Sequence, residues 1–316
     1  MLFICIPIAV LCQIGHKPIK TLECDSVVLS FAAFSPNGAY IASAGRDGIK
    51  VWETEGFKLK CSNGGHDKIL YGDRRISAYV NQIIYFDNGS AFATIATDKT
   101  LRVWDAENCK QLFRVNINTS ASQFAFLKGN HSLAMSDGSE AIKIWNIERG
   151  EELFEIGTKK FKPYAVTCDA KCEIMAIGNS DASLEIWNVA KRKRILNLVG
   201  HKEKIICVSF SSNGLLIASS DWSGKLIIWN AISAKQLFEF NINEGTLGFL
   251  QFIENDKYLL WADLHSDRIF ITDISDGKCA SCIFAEGLSG VCYDRNNRLI
   301  ASWQHTSIKF WPIPLR

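Results

Sequence analysis

A short pattern recurs along this 316-residue chain: a small or acidic residue, two or three further residues, alternating apolar positions and a closing tryptophan. It reads GRDGIKVW ending at Trp52, ATDKTLRVW at Trp104, SDGSEAIKIW at Trp145, NSDASLEIW at Trp187, SDWSGKLIIW at Trp229 and WQHTSIKFW at Trp311. A seventh copy, HSDRIFIT, puts Thr272 in the tryptophan slot. Successive marks lie 52, 41, 42, 42, 43 and 39 residues apart, a period near 42 with one insertion. That is the length of a four-stranded unit, and such a unit buries its apolar faces only by stacking on its neighbours.

The stretches around each mark agree with strands. Turn signals precede it in FSPNG (34–38), YFDNG (85–89), FSSNG (210–214) and YDRNN (293–297), where Asn and Gly suit a hairpin needing positive φ. Between turn and tryptophan, AYIASAG and LLIASS are apolar and rich in small residues, as strands covered on both faces should be. Eight residues after the tryptophan, Leu112, Leu153, Ile195 and Leu237 each begin a fourth strand.

The chain resembles the WD-repeat β-propeller family over nearly its whole length. Gly65-His66 and Gly200-His201 match the family's Gly-His mark, and Trp104-Asp105 matches its Trp-Asp; Asn146, Asn188 and Asn230 replace the Asp elsewhere. The resemblance implies an all-β fold: a seven-bladed propeller of four-stranded antiparallel blades. It also implies a buried hydrogen-bond chain from His through Ser or Thr and a turn Asp to Trp, in which an indole N–H finds its acceptor. In blade 2 those positions are His66, Thr94, Asp98 and Trp104, and in blade 5 His201, Ser219 and Trp229, with Ser223 where the Asp belongs. Blade 1 keeps Ser43, Asp47 and Trp52 without the His, and blade 4 supplies Asp181 and Trp187. All of these are expected to be structural, so His66 with Asp98 is not an acid/base pair.

The last blade ends at Trp311 with only Pro-Ile-Pro-Leu-Arg after it, which leaves no fourth strand. Residues 16–24 have the form of that strand, so the ring is expected to close through an N-terminal outer strand and the propeller to span 16–316. Residues 1–15, MLFICIPIAVLCQIG, are then surplus. They are shorter than the roughly twenty apolar residues a membrane span needs. Two readings stand: a secretory signal, although no Lys or Arg precedes the apolar core, or a displaced strand in phase with the repeat.

Composition narrows the function. A net charge of +2, from 35 basic and 33 acidic residues, gives no general electrostatic grip on nucleic acid or acidic lipid. The one basic run is Lys191-Arg192-Lys193-Arg194. Eleven irregularly spaced cysteines read as buried thiols of a reducing compartment, hence a cytoplasmic protein, and Cys279-Ala-Ser-Cys282 lacks the second pair that a zinc site needs. Phosphate loops, nucleophile elbows and HExxH are absent, so no catalytic residue, metal or cofactor is expected.

Function then falls to surfaces. In the resembled family the partner face is the rim formed by the start of strand a and the residue before the turn Asp. Here those positions supply Arg46, Tyr79, Lys162, Tyr164, Lys204, Trp222 and His305, together with Ser120, Ser122 and Thr246. Trp222 stands in a turn instead of at the repeat mark. The insertion, DKILYGDRRIS, adds Arg74 and Arg75. An aromatic, mildly basic rim suits an acidic or aromatic segment of another protein. The expectation is a non-catalytic scaffold for protein or peptide binding through this rim; the alternatives are a nucleic-acid-associated, RNA-processing propeller, or a propeller enzyme or small-ligand binder using the central channel.

Overall fold

The computed structural model describes residues 16–24, 28–71, 74–86, 89–117, 123–127, 132–136, 139–147, 149–157, 160–241 and 247–315. Residues 1–15 lie outside this set, as do Ser120, Ser122 and Thr246. Among the described residues there is no helix; the strands form seven four-stranded antiparallel sheets and one separate two-stranded hairpin. The first strand of each sheet lies beside the first strand of the next all the way round, which makes a closed ring of seven blades with those strands innermost.

Burial follows position in the blade. Second strands such as Ala91–Ala96, Leu216–Asp221 and Tyr40–Gly45 are covered on both faces by neighbouring blades and are buried almost throughout. Small and β-branched residues fit there because two backbones approach closely. Outer strands such as Gln111–Asn116 keep only one covered face and alternate in exposure.

The last blade consists of Gly290–Asp294, Leu299–Gln304 and Ser307–Pro312, and its fourth strand is Lys20–Glu23 from the other end of the chain. Thr21 pairs with Lys309 and Leu22 with Ile308, antiparallel. Leu22 is buried in a cluster that crosses to the first blade, with Trp52, Trp303 and Phe310. Phe31 meets Trp303 at 5.3 Å and Phe57 meets Phe310 at 4.7 Å between ring centroids, so aromatic contacts fill the seam.

At the opposite end of the ring from the rim, turns between first and second strands are linked to one another. Asp256 accepts hydrogen bonds from the Ser212 and Asn213 backbone N–H groups, at 2.7 and 3.1 Å. Glu254 accepts from the Tyr293 hydroxyl at 2.8 Å and pairs with Arg298, and Asn297 donates to the Gly38 carbonyl. Glu254, Asn255 and Asp256 all have positive φ, between 51° and 65°. Bonds to both neighbouring blades hold that unfavourable backbone in place.

One expectation about cysteine is corrected. Cys61 on the outer strand of blade 1 and Cys109 in a turn of blade 2 form a disulfide, with Cα atoms 5.7 Å apart, so not all the cysteines are thiols. The CxxC pair is divided: Cys282 points into the core and Cys279 is exposed, because their spacing puts them on opposite faces of one strand.

Candidate functional site

In blade 2 the buried chain forms one consistent arrangement. His66 Nδ1 lies 2.9 Å from Asp98 Oδ1, His66 Nε2 lies 2.7 Å from Thr94 Oγ1, and Trp104 Nε1 donates to the same Thr94 oxygen at 2.8 Å. The network assigns a neutral imidazole: Nδ1–H donates to the carboxylate, and Nε2 accepts from the threonine hydroxyl. Burial pushes His66 below the usual histidine range and outweighs the opposing pull of Asp98, which fits that neutral form. Asp98 is held well below the carboxylate range: burial would raise it, but the His66 and Thr100 hydrogen bonds dominate. Arg102, absent from the sequence expectation, adds a cation 3.1 Å from Asp98 and 2.9 Å from Asp67.

Blade 5 repeats the chain with a different acid. His201 Nδ1 sits 2.9 Å from Asp221, not Ser223; His201 Nε2 is 2.7 Å from Ser219 Oγ, which accepts from Trp229 Nε1 at 2.8 Å. Ser223 donates to Asp221. Asp221 lies two residues earlier than the expected position, at the end of the second strand, and its carboxylate reaches the same imidazole from there. Burial opposes ionisation of Asp221, but the bonds from His201 and Ser223 hold it at about 2.

The other blades depart further. In blade 1 Trp52 donates to Ser43 at 2.9 Å, while Asp47 pairs with Lys50 instead of entering the chain. In blade 4 Trp187 donates to Glu185 at 2.9 Å, and Asp181 bonds Ser183 at the surface; Asp181 and Trp187 therefore do not belong to one network. Ile177, which cannot accept, stands level with Thr94, and Glu185 takes over. In blade 6 the roles are exchanged: Trp261 on the second strand donates to Thr272 on the third at 2.9 Å. The tryptophan eleven residues before Thr272 was the sequence signal for this swap.

The rim residues gather at one end of the ring. Turn and incoming strand are tied by backbone bonds there: Trp222 N–H to Lys204 O, Ser180 N–H to Lys162 O, Thr97 N–H to Tyr79 O and Leu29 N–H to His305 O. Two clusters result. The Lys204 ammonium lies 3.8 Å from the Trp222 ring centroid and 5.1 Å from that of Tyr164, with Lys162 exposed beside them. Trp222 is 54% exposed. Arg46 stands 6.0 Å over Tyr79 at the junction of blades 1 and 2. His305 is exposed on blade 7 but joins neither cluster among the described contacts. Arg74 and Arg75 belong to the insertion, which folds as a hairpin of Lys68–Tyr71 and Arg74–Ser77 on this same end.

The channel and the basic run offer less. First strands from all seven blades line a central cavity of about 710 Å³. Its ionisable groups at one mouth, Glu254, Asp256 and Arg295, are engaged in the turn-to-turn bonds. In the basic run, Arg192 stacks 4.1 Å from Phe154 and Arg194 donates to Glu185 at 2.7 Å, so half of its charge is structural. Among the described residues no cluster of three or more His, Cys, Asp or Glu is placed to hold a metal ion.

Comparison with known proteins agrees with this architecture. The model of the WD domain, G-beta repeat, matches residues 16–53 and 192–230. The small ribosomal subunit protein RACK1 of Caenorhabditis elegans is 30% identical over 139 residues, 43% of this chain and 39% of that protein. The cross-pathway control WD-repeat protein 2 of Flammulina velutipes is 29% identical over 129 residues, 40% of this chain and 38% of that protein. The matched stretch thus spans about two fifths of the length of these curated relatives. The crystal structure of the Myceliophteria thermophila Cps50 (Swd1) β-propeller domain superposes with a TM-score of 0.80 at 14% identity, covering 95% of this chain and all of that one, a likeness of fold. Repeat marks, seven blades and matched relatives agree: the chain carries WD repeats at 16–53 and 192–230 and folds as a seven-bladed β-propeller.

Proposed function

We propose that this propeller is a non-catalytic scaffold that captures a segment of another protein on the rim carrying Trp222, and that it works in the cytoplasm. The observation that carries the reading is the Tyr164, Lys204 and Trp222 stack, in which a large exposed indole and an ammonium are pre-positioned by backbone bonds. Aromatic and cationic groups held rigid lose little entropy on binding, which is why such residues dominate interface energetics. A carboxylate beside an apolar or aromatic side chain complements the stack: the acid pairs with Lys204 or Lys162, and the apolar group covers Trp222. Arg46, Tyr79, His305, Arg74 and Arg75 extend the same face.

The test is affinity capture from cells with mass spectrometry, comparing the intact chain with Trp222→Ala and Lys204→Glu. Partners should drop by about tenfold or more with either variant while the melting temperature holds. Capture of the same partners at undiminished yield by both variants removes the rim from the reading.

A further inference from the structure

The inserted hairpin is the one sheet that does not belong to a blade. Register pairs Lys68 with Ser77, Ile69 with Ile76, Leu70 with Arg75 and Tyr71 with Arg74. Facing residues share a side, so Ile69, Ile76 and the exposed Arg74 stand on one face, and Lys68, Leu70, Arg75 and Ser77 on the other. Ile69 and Ile76 are half-buried, and Ile69 packs against the core between blades 1 and 2. The second face is turned outward: Leu70 is 72% exposed, with Lys68 and Arg75 exposed around it.

Three properties of this element point to a ligand of one kind. Among the described residues no third strand pairs with it, so outward N–H and C=O groups remain along its edges. Two-stranded sheets are marginal in water, and a third strand is what usually stabilises them. Lys68 and Arg75 flank the exposed Leu70 on the outward face, Arg74 is exposed on the other face, and none of the three forms an ion pair among the described residues. An open backbone edge, an exposed leucine and exposed cations together fit an extended acidic segment. Phosphate backbones would use the cations but neither the edge nor the leucine, and a second copy of this basic edge would be repelled.

We propose that the hairpin Lys68–Ser77 accepts strand addition from an acidic, extended segment of a partner protein. The segment's main chain pairs along an open edge, an apolar side chain lies beside Leu70, and carboxylates on the same face meet Lys68 and Arg75. This rests on the scaffold reading and names the chemistry of one of its sites.

The probe is a short synthetic peptide repeating Glu-Thr-Val-Thr, which as a strand puts Glu and Val on the same face, labelled for fluorescence anisotropy and added to the full chain; its control carries Lys for each Glu. The probe should bind at least about tenfold more tightly than that control, and it should slow amide exchange at Lys68–Ser77. Leu70→Asp/Arg75→Glu, and separately Arg74→Glu/Arg75→Glu, should each abolish that binding with the melting temperature unchanged. Lys191→Glu/Lys193→Glu, at the other end of the ring, should not affect it. Failure of the intact chain to bind the peptide, binding that survives both hairpin variants, or tighter binding of a labelled oligouridylate at equal salt each overturns strand addition. If partners are still captured through Trp222 in that event, the scaffold reading stands without it.

Discussion

At the residue scale, the indoles of Trp52, Trp104, Trp187, Trp229, Trp261 and Trp311 find acceptors in different ways, whereas the buried Trp145 and Trp303 N–H groups have none among the described residues. Thr94 is the busiest acceptor, since it donates to His66 and accepts from Trp104. Thr94→Val therefore strands two buried groups at once, each worth about 1–3 kcal/mol, and urea unfolding should show a midpoint well below the intact chain's. Acid should act in two stages. His66 titrates lower in the fold than its ordinary ~6.5, so the unfolded chain takes the proton first and stability declines as pH falls below that value. Asp221, at about 2, and Asp98, also depressed, lie below the ordinary ~3.9. Their contribution is complete above that value and is lost as pH falls toward the folded value. Melting temperatures across pH should show both stages; Asp98→Asn/Asp221→Asn should shrink the second, and loss of the Asp98 charge, which pulls His66 up, should enlarge the first. The repeat's phase made the acceptors Ser43, Thr94 and Ser219 legible. It did not reveal Glu185, because an acceptor that reaches from a different strand leaves no mark at the repeat position, whereas Thr272 in the tryptophan slot with Trp261 eleven residues before it did mark the exchange in blade 6.

At the scale of elements, the strand Lys20–Glu23 and the Cys61–Cys109 bridge each join parts of the ring that sequence separates. Removing residues 16–24 exposes the edge Ser307–Pro312 and uncovers the aromatic seam, so the whole ring should melt at lower temperature. The milder Leu22→Asp, which puts a charge into that seam, should cost about 2–5 kcal/mol by chemical denaturation. The disulfide ties adjacent blades, and Cys61→Ser should cost about 2–4 kcal/mol, a difference that vanishes when both proteins are measured under reducing conditions. Buried thiols elsewhere resist oxidation: burial pushes Cys207 up to about 12, which leaves almost no thiolate at neutral pH. The closing strand was legible because a four-stranded unit with three strands must find a fourth. The disulfide was not, since eleven irregular cysteines give no pairing and only the packing of blade 1 on blade 2 brings these two together. Likewise the insertion was visible as ten extra residues, and its folding as a hairpin with a free outer face was not.

For the whole molecule, the rim is an outcome of the ring: residues from Arg46 to His305 share one surface because every blade presents its turns at the same end. Loss of Trp222 should thus weaken partner capture without altering the melting of the propeller, as should loss of Lys204. By itself the sequence determined the number of four-stranded repeats and the want of a fourth strand in the last, and its resemblance to WD-repeat propellers implied the seven blades and the closure. Tertiary structure decided which acid meets each histidine, which cysteines bond, and that Lys204 settles between two aromatic rings. Periodicity fixes where a residue sits along a strand, whereas a contact between side chains depends on distances of a few ångströms across blades that only packing sets.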